Sequence, residues 1–232
     1  MTESLKLPYG LRNGKIIHIS EIPEAQRGLK CGCVCPVCHE PLQARIGTKR
    51  VKHFAHNQNS NCSGGGESGL HLLAKEIFLR NNKILLPDVE LSVFEYSSAA
   101  GYYNHNLGYN VDKKLVKKGD YFQYINVKQE CFINGVKPDI MVTNGKSTLY
   151  IEIVVTHDID EEKYEKIKAL DVSVLKINLK DFYNDVLSKG TKENLEKILI
   201  HEKAGKFWVN NYWLNKAVKE EKDKHARIVF AL

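Results

Sequence analysis

The run Val136-Lys137-Pro138-Asp139-Ile140-Met141-Val142, the turn Asn144-Gly145-Lys146 and the run Thr148-Leu149-Tyr150-Ile151-Glu152-Ile153-Val154-Val155 read as a β-hairpin with one acid in each arm. An uncompensated carboxylate within an apolar strand is expensive, so Asp139 and Glu152 call for a cation. Two carboxylates fixed on adjacent strands suit Mg²⁺ or Mn²⁺, which take hard oxygen ligands and keep coordination positions open for water and phosphate. The pattern points to phosphodiester chemistry. A plainer alternative stands beside it: a Pro-Asp pair can do no more than open a strand edge, and a Glu in an apolar run can face solvent.

A chain of 232 residues, 43% of them hydrophobic, has room for one medium domain and a small module. No apolar stretch approaches the roughly 20 residues of a membrane span, and Met1-Thr2-Glu3-Ser4-Leu5-Lys6 lacks the apolar core of a signal peptide. The expected compartment is the cytoplasm, with no membrane partner. The net charge of +6 is concentrated at the start: within residues 1–64, nine Lys and Arg (6, 12, 15, 27, 30, 45, 49, 50, 52) face four acids (3, 21, 24, 40). Such a surplus favours polyanionic partners. The chain has no phosphate-cradling Gly-Lys-Ser/Thr motif, which argues against an internal ATPase.

Five of the six cysteines fall between Cys31 and Cys62, which in a reducing compartment suggests metal ligation over disulfides. Cys131 stands apart and reads as a buried strand residue. Cys35-Pro36-Val37-Cys38 is followed, after an interval of fourteen residues, by His53-Phe54-Ala55-His56 and then Cys62. That spacing suits tetrahedral Zn²⁺ held by Cys35, Cys38, Cys62 and one of His53 or His56, with Cys31 and Cys33 as alternates and reduced, packed thiols as the competing account. Apolar residues are sparse between 31 and 64, so zinc is expected to stand in for a core, with Phe54 packed beneath the knuckle.

Beyond Ser63-Gly64-Gly65-Gly66, a helix is expected in which Glu67, His71 and Lys75 repeat every four residues on one face. Leu70, Leu73, Ala74 and Ile77 would be buried on the other face. Taken alone, the polar stripe reads more readily as a solvated face with Glu67 pairing along the helix, and its position in the chain shifts that balance. Strands are expected at 88–94, 121–132 and 172–179, and a helix opened by acids at 160–170. The polar stretch between Ser97 and Gly119 reads as a long insertion. Its Tyr102, Tyr103, Tyr109, Lys113, Lys114, Lys117 and Lys118 fit either base stacking with phosphate contacts or an ordinary surface hairpin. Residues 180–232 read as largely helical, with Trp208, Tyr212, Trp213 and Leu214 as a packing cluster. A helix between the third and fourth strands makes their pairing parallel within a mixed sheet.

This element order, with its acid-bearing hairpin, resembles the PD-(D/E)XK nuclease fold. With Cys35-Pro36-Val37-Cys38, His53-Phe54-Ala55-His56, Glu67 with His71 and Lys75, Lys137-Pro138-Asp139 and Glu152 in that order, the chain is more closely similar to the competence protein CoiA family of nuclease-like proteins, over roughly residues 28–180. The resemblance implies an α/β (α+β) fold. A restriction-endonuclease-like αβββαβ core with a mixed sheet would occupy 65–180, a zinc ribbon 1–64, and a C-terminal helical extension 181–232. It implies a divalent-metal-dependent nuclease acting on double- or single-stranded DNA in processing, recombination or defence, where a protein partner also has a place. Asp139 and Glu152 become ligands of Mg²⁺ or Mn²⁺ and Glu67 a further carboxylate. His71 and Lys75 become supporting groups beside the scissile phosphate, and Glu130 a group within reach of the site. The family pattern expects Lys or Gln two residues after the acid of the third strand, where this chain has Val154. Lys163 is the candidate replacement, with Lys166 and His157 as alternates and an ordinary helix ion pair as the competing account. The rival class is a catalytically inactive DNA-binding, loading or protein-interaction module on the same fold.

Overall fold

Alternation along 148–154 sends Leu149, Ile151 and Ile153 to one face of a strand and Tyr150, Glu152 and Val154 to the other, yet all six are buried. A strand buried on both faces has to be covered on both. The computed structural model, which describes residues 7–48, 51–56, 62, 65–94, 111–155, 157–180 and 192–229, meets that demand. In chain order the elements are β1 (Tyr9–Arg12), β2 (Lys15–His18), β3 (Gln43–Arg45), β4 (His53–Ala55), α1 (Gly65–Arg80), β5 (Lys83–Leu85), β6 (Val89–Phe94), β7 (Val111–Lys117), β8 (Tyr121–Gln123), β9 (Asn126–Gln129), β10 (Ile140–Thr143), β11 (Thr148–Val154), α2 (Glu161–Lys168), β12 (Ser173–Asn178), α3 (Lys192–Glu196), β13 (Lys206–Asn210) and α4 (Tyr212–Val229).

The five-stranded sheet has the order β13-β12-β11-β10-β9, with β11 at its centre. β10 is antiparallel to both β9 and β11, β11 is parallel to β12 across the α2 connection, and β13 closes the edge antiparallel to β12. The β10–β11 turn forms because Asn144 Oδ1 accepts hydrogen bonds from the Lys146 and Ser147 N–H groups while Gly145 takes φ +85°, where a side chain would be strained. On one face α1 presents Leu70, Leu73, Ala74, Ile77 and Phe78, the stripe of a 3.6-residue period, to Ile140, Val142, Ile151, Ile153, Leu175 and Ile177. Full burial of each large aliphatic side chain there contributes roughly 1.5–3 kcal/mol. On the other face Ile167 of α2 packs with Met141, Tyr150 and Val174.

Several expectations are corrected. The N-terminal module does not depend on metal for want of a core: Leu7, Ile19, Ile22, Leu42, Ala44, Ile46 and Phe54 form one with the buried Cys31, Cys33 and Cys35. Leu7, Ile19 and Ile22 join it from outside 31–64, and the β1–β2 hairpin also sends Tyr9 and Ile16 into the main core. The single strand expected at 121–132 is two, because β8 pairs with β5 and β9 with β10. Cys131 lies past the end of β9 and is only half-buried. Residues 181–232 are not purely helical, since β13 extends the sheet; Trp208 packs on the main core, whereas Tyr212 and Trp213 are exposed. Part of the supposed insertion is β7, which carries Lys113, Lys114 and Lys117 and pairs with β6. Tyr102, Tyr103 and Tyr109 lie outside the described residues. No helix among the described residues is long and apolar enough to cross a membrane.

Lys206, at the start of β13, is buried with its Nζ donating to the Leu85 carbonyl at 2.8 Å. Burial pulls its pKa down to about 7 against the opposing charge of Glu202. A base with a depressed folded pKa costs stability in full below pH 7. That cost falls as pH rises from 7 towards 10.5, because the unfolded chain keeps the proton that the fold sheds. Lys206→Met should therefore raise Tm at pH 7 by roughly 3 °C or more. The advantage over wild type should shrink by pH 10, as read by thermal unfolding at both pH values.

Candidate functional site

One step beyond the Ile140–Ile151 pair of the β10–β11 ladder, Asp139 stands opposite Glu152. The two acids thus meet at the end of the hairpin away from its turn. Glu152 is 4% exposed, and its Oε2 accepts a hydrogen bond from Lys163 Nζ at 2.7 Å. Lys163 is set by the helix start: Asp160 caps α2 by accepting from the Lys163 backbone N–H at 2.8 Å. Burial pushes the Glu152 carboxyl up to about 7; Lys163 opposes this and the Asp139 charge adds to it. One ammonium does not fully compensate the acid pair.

Asp139 Oδ2 accepts from the backbone N–H of Ile153 at 2.8 Å. His71, reaching across from α1, has its Nε2 2.6 Å from the Ile153 carbonyl oxygen and 3.8 Å from Asp139 Oδ2. Two carboxylates and one backbone carbonyl therefore converge, and all three are hard oxygen donors. Beside them Lys75, itself buried, and Lys137 both donate to Glu130, Lys137 at 2.9 Å. These two lysines, Lys75 first, hold the Glu130 carboxyl down to about 2. The polar stripe of α1 is thus not a solvated face: the exposed positions are Leu72, Glu76, Leu79 and Arg80, while His71 and Lys75 turn towards the acids. Glu67 lies in the first turn of α1, and its side chain is outside what is described. Val154 is buried on the Glu152 face of β11. Of the alternates to Lys163, Lys166 is taken by Glu162 at 2.6 Å and His157 is exposed.

The second cluster lies in the N-terminal module. Cys35, Cys38, His56 and Cys62 place their ligand atoms within 4.8 Å of one another and could hold a structural zinc ion. The Cys35 and Cys62 sulfurs are 3.8 Å apart, and Cys38 Sγ is 3.3 Å from His56 Nε2. Two thiolates at about 2.3 Å from a tetrahedral zinc stand about 3.8 Å apart, so the donor set fits. His53 is not in the cluster; its Nδ1 lies 2.8 Å from the Val51 carbonyl. β4 turns His53 and Phe54 to opposite faces, with Phe54 in the module core, and His56, one residue past the strand's end, is the histidine that joins the cysteines. Cys31 and Cys33 are core residues, with Cys31 Sγ donating to the Leu42 carbonyl at 3.2 Å. Burial pushes the Cys35 thiol up to about 11, so zinc uptake would displace a proton there.

Residues 20–65 match the family model described as competence protein CoiA, N-terminal domain. The match spans the module bearing the Cys/His cluster, and that module is similar to the CoiA N-terminal domain. No curated protein and no solved structure matches the chain. Reasoning from sequence missed the Ile153 carbonyl and the His71 contact to it, because a backbone oxygen carries no residue signature.

If the cluster holds zinc, the purified chain should carry one equivalent by elemental analysis. His56→Ala or Cys38→Ser should lower that content to well under half, whereas His53→Ala should leave it unchanged.

Proposed function

We propose that the chain is a divalent-metal-dependent DNA nuclease of the CoiA-like branch of the PD-(D/E)XK fold, with the zinc-bearing module helping to hold nucleic acid. The observation that carries this reading is the convergence of Asp139, Glu152 and the Ile153 carbonyl at one end of β10 and β11, with Lys163 on Glu152. Those three oxygens would hold Mg²⁺ or Mn²⁺, which when bound supplies Lewis acidity towards water and the scissile phosphate.

The protein's own groups account for the rest. Lys163, which reaches Glu152 from α2, would stand in for the family's strand lysine, its ammonium orienting an attacking water and offsetting charge that grows on the phosphate. His71 fixes the Ile153 carbonyl and stands 3.8 Å from Asp139 Oδ2. Lys75 and Lys137, bridged by Glu130, give the rim of the site a net positive charge for the phosphate backbone. A second reading, a DNA-loading module without catalysis, is favoured by one observation: Val154 occupies the family's lysine position, and Lys163 is engaged by the carboxylate it would have to serve.

Cleavage of labelled single- and double-stranded DNA with Mg²⁺ or Mn²⁺ separates the two. For a nuclease, Asp139→Ala and Glu152→Ala should lower the rate on the order of 10³-fold and Lys163→Ala on the order of 10²-fold, with DNA affinity kept within about threefold. Tight binding by wild type without cleavage of any substrate would replace the enzyme with the loader.

A further inference from the structure

At the turn end of the same hairpin, away from the acid pair, a cleft of about 610 Å³ opens between the β7–β8 connection, the β10–β11 turn, β13 and the start of α4. We propose that this cleft binds single-stranded nucleic acid, stacking an unpaired base on Trp213 and Tyr212 and holding the flanking phosphates on Lys117, Lys118 and Lys146. It goes beyond the nuclease reading, because the cleft would bind a single strand whether or not the acid pair cuts.

The aromatic side chains supply the first argument. Tyr212 is 56% and Trp213 43% exposed, an unusual placement for two large rings adjacent in sequence. They meet edge to face at 5.5 Å, which uses one face of one ring and leaves the remaining faces clear of the other ring. Lys117 Nζ lies over the Trp213 ring, 4.7 Å from its centroid, and Lys216 Nζ at 5.9 Å, so a base stacking on Trp213 takes the place of an ammonium that can turn to the adjoining phosphate.

Charge supplies the second. Lys117, Lys118 and Lys146 line the cleft, while its acids are Asp120 and Asp171. Asp120 accepts the Tyr121 backbone N–H at 2.7 Å, and Lys83 and Lys216 stand on the cleft's aromatic rings, adding positive charge around the rim. The wall that carries Lys118 is built to hold its position. A Cβ on Gly119 would come within 2.2 Å of the Leu86 carbonyl oxygen, and the Gly119 N–H donates to Asp88 Oδ1, which Lys203 also grips at 2.6 Å.

Exposed rings interleaved with lysines match a ligand that alternates planar bases and phosphates. Duplex DNA offers the phosphates, but its base faces are already stacked on one another. The occupant is therefore a single strand.

The chain's only two tryptophans, Trp208 and Trp213, both line the cleft, so intrinsic fluorescence reports on it directly. The full-length, zinc-loaded chain would be titrated with oligothymidylate and oligouridylate of about 12 nucleotides, without added Mg²⁺ or Mn²⁺, and labelled oligonucleotide would be followed by anisotropy. Saturable quenching is expected, weaker with duplex of equal length; the stronger of the two oligomers distinguishes DNA from RNA. Trp213→Ala and Lys117→Glu/Lys118→Glu should each weaken binding about tenfold or more, Trp213→Phe should retain it, and unfolding curves should show these surface variants folded. Asp139→Ala should bind like wild type, so loss of cleavage and loss of this site are separable. Absence of single-strand binding, equal binding of duplex, or unchanged affinity in the folded cleft variants would overturn the proposal.

Discussion

A carboxylate at position 152 lies inside the protein, and much of the architecture follows from keeping it there. An isolated buried carboxylate costs several kcal/mol, and one ion pair in a low-dielectric interior roughly offsets that without a net gain. Lys163 provides that pair, which requires α2 to start where it does and hence requires the Asp160 cap. α2 in turn covers the second face of β11 through Ile167, making the crossover that sets β12 parallel to β11. With Asp139 opposite and its charge held by the Ile153 N–H, the site keeps an unbalanced negative charge even after Lys163 is counted. A fold optimised for stability alone would place an apolar residue at 152, as it does at 150, 151, 153 and 154.

The N-terminal module reaches order by two independent means. Its apolar cluster draws Leu7, Ile19 and Ile22 against Leu42 and Phe54, and the Cys35-Cys38-His56-Cys62 set closes the other side. Each would be slight alone: a cluster of this size is thin for a free-standing domain, and a zinc knuckle without packing leaves its loops unordered. The module also shares Tyr9 and Ile16 with the core above α1, which ties it to the helix that carries His71 and Lys75.

The parts of this protein legible in its sequence are those with strong local period. The β10–β11 hairpin, the apolar stripe of α1, the acid-started α2 and β12 all follow from spacing, and Cys35 and Cys38 of the Cys/His cluster from Cys-x-x-Cys. What stayed hidden depended on distant partners. β13, Lys206-Phe207-Trp208-Val209-Asn210, is a short edge strand between polar segments and begins with a lysine that becomes buried only because the Leu85 carbonyl receives it. Part of the module core escaped notice because Leu7, Ile19 and Ile22 precede the cysteines, by up to 28 positions from Leu7 to Cys35. His71 and Lys75 looked like half of a solvated stripe, since nothing local reveals that the hairpin lies 60 or more residues away along the chain and beside them in space.

The two ends of the hairpin differ in chemistry for a structural reason. At the open end, β10 and β11 begin and finish against α1 and α2, so polar groups there are desolvated, paired and fixed, as the proposed nuclease site would require. At the turn end the strands run out to Asn144-Gly145-Lys146, no helix among the described residues covers them, and the neighbouring aromatics of α4 remain in contact with water. Such a surface has little leverage on a bond but a large area for stacking and charge. β11 joins the two across residues 148–152, about 13 Å at the rise of a strand.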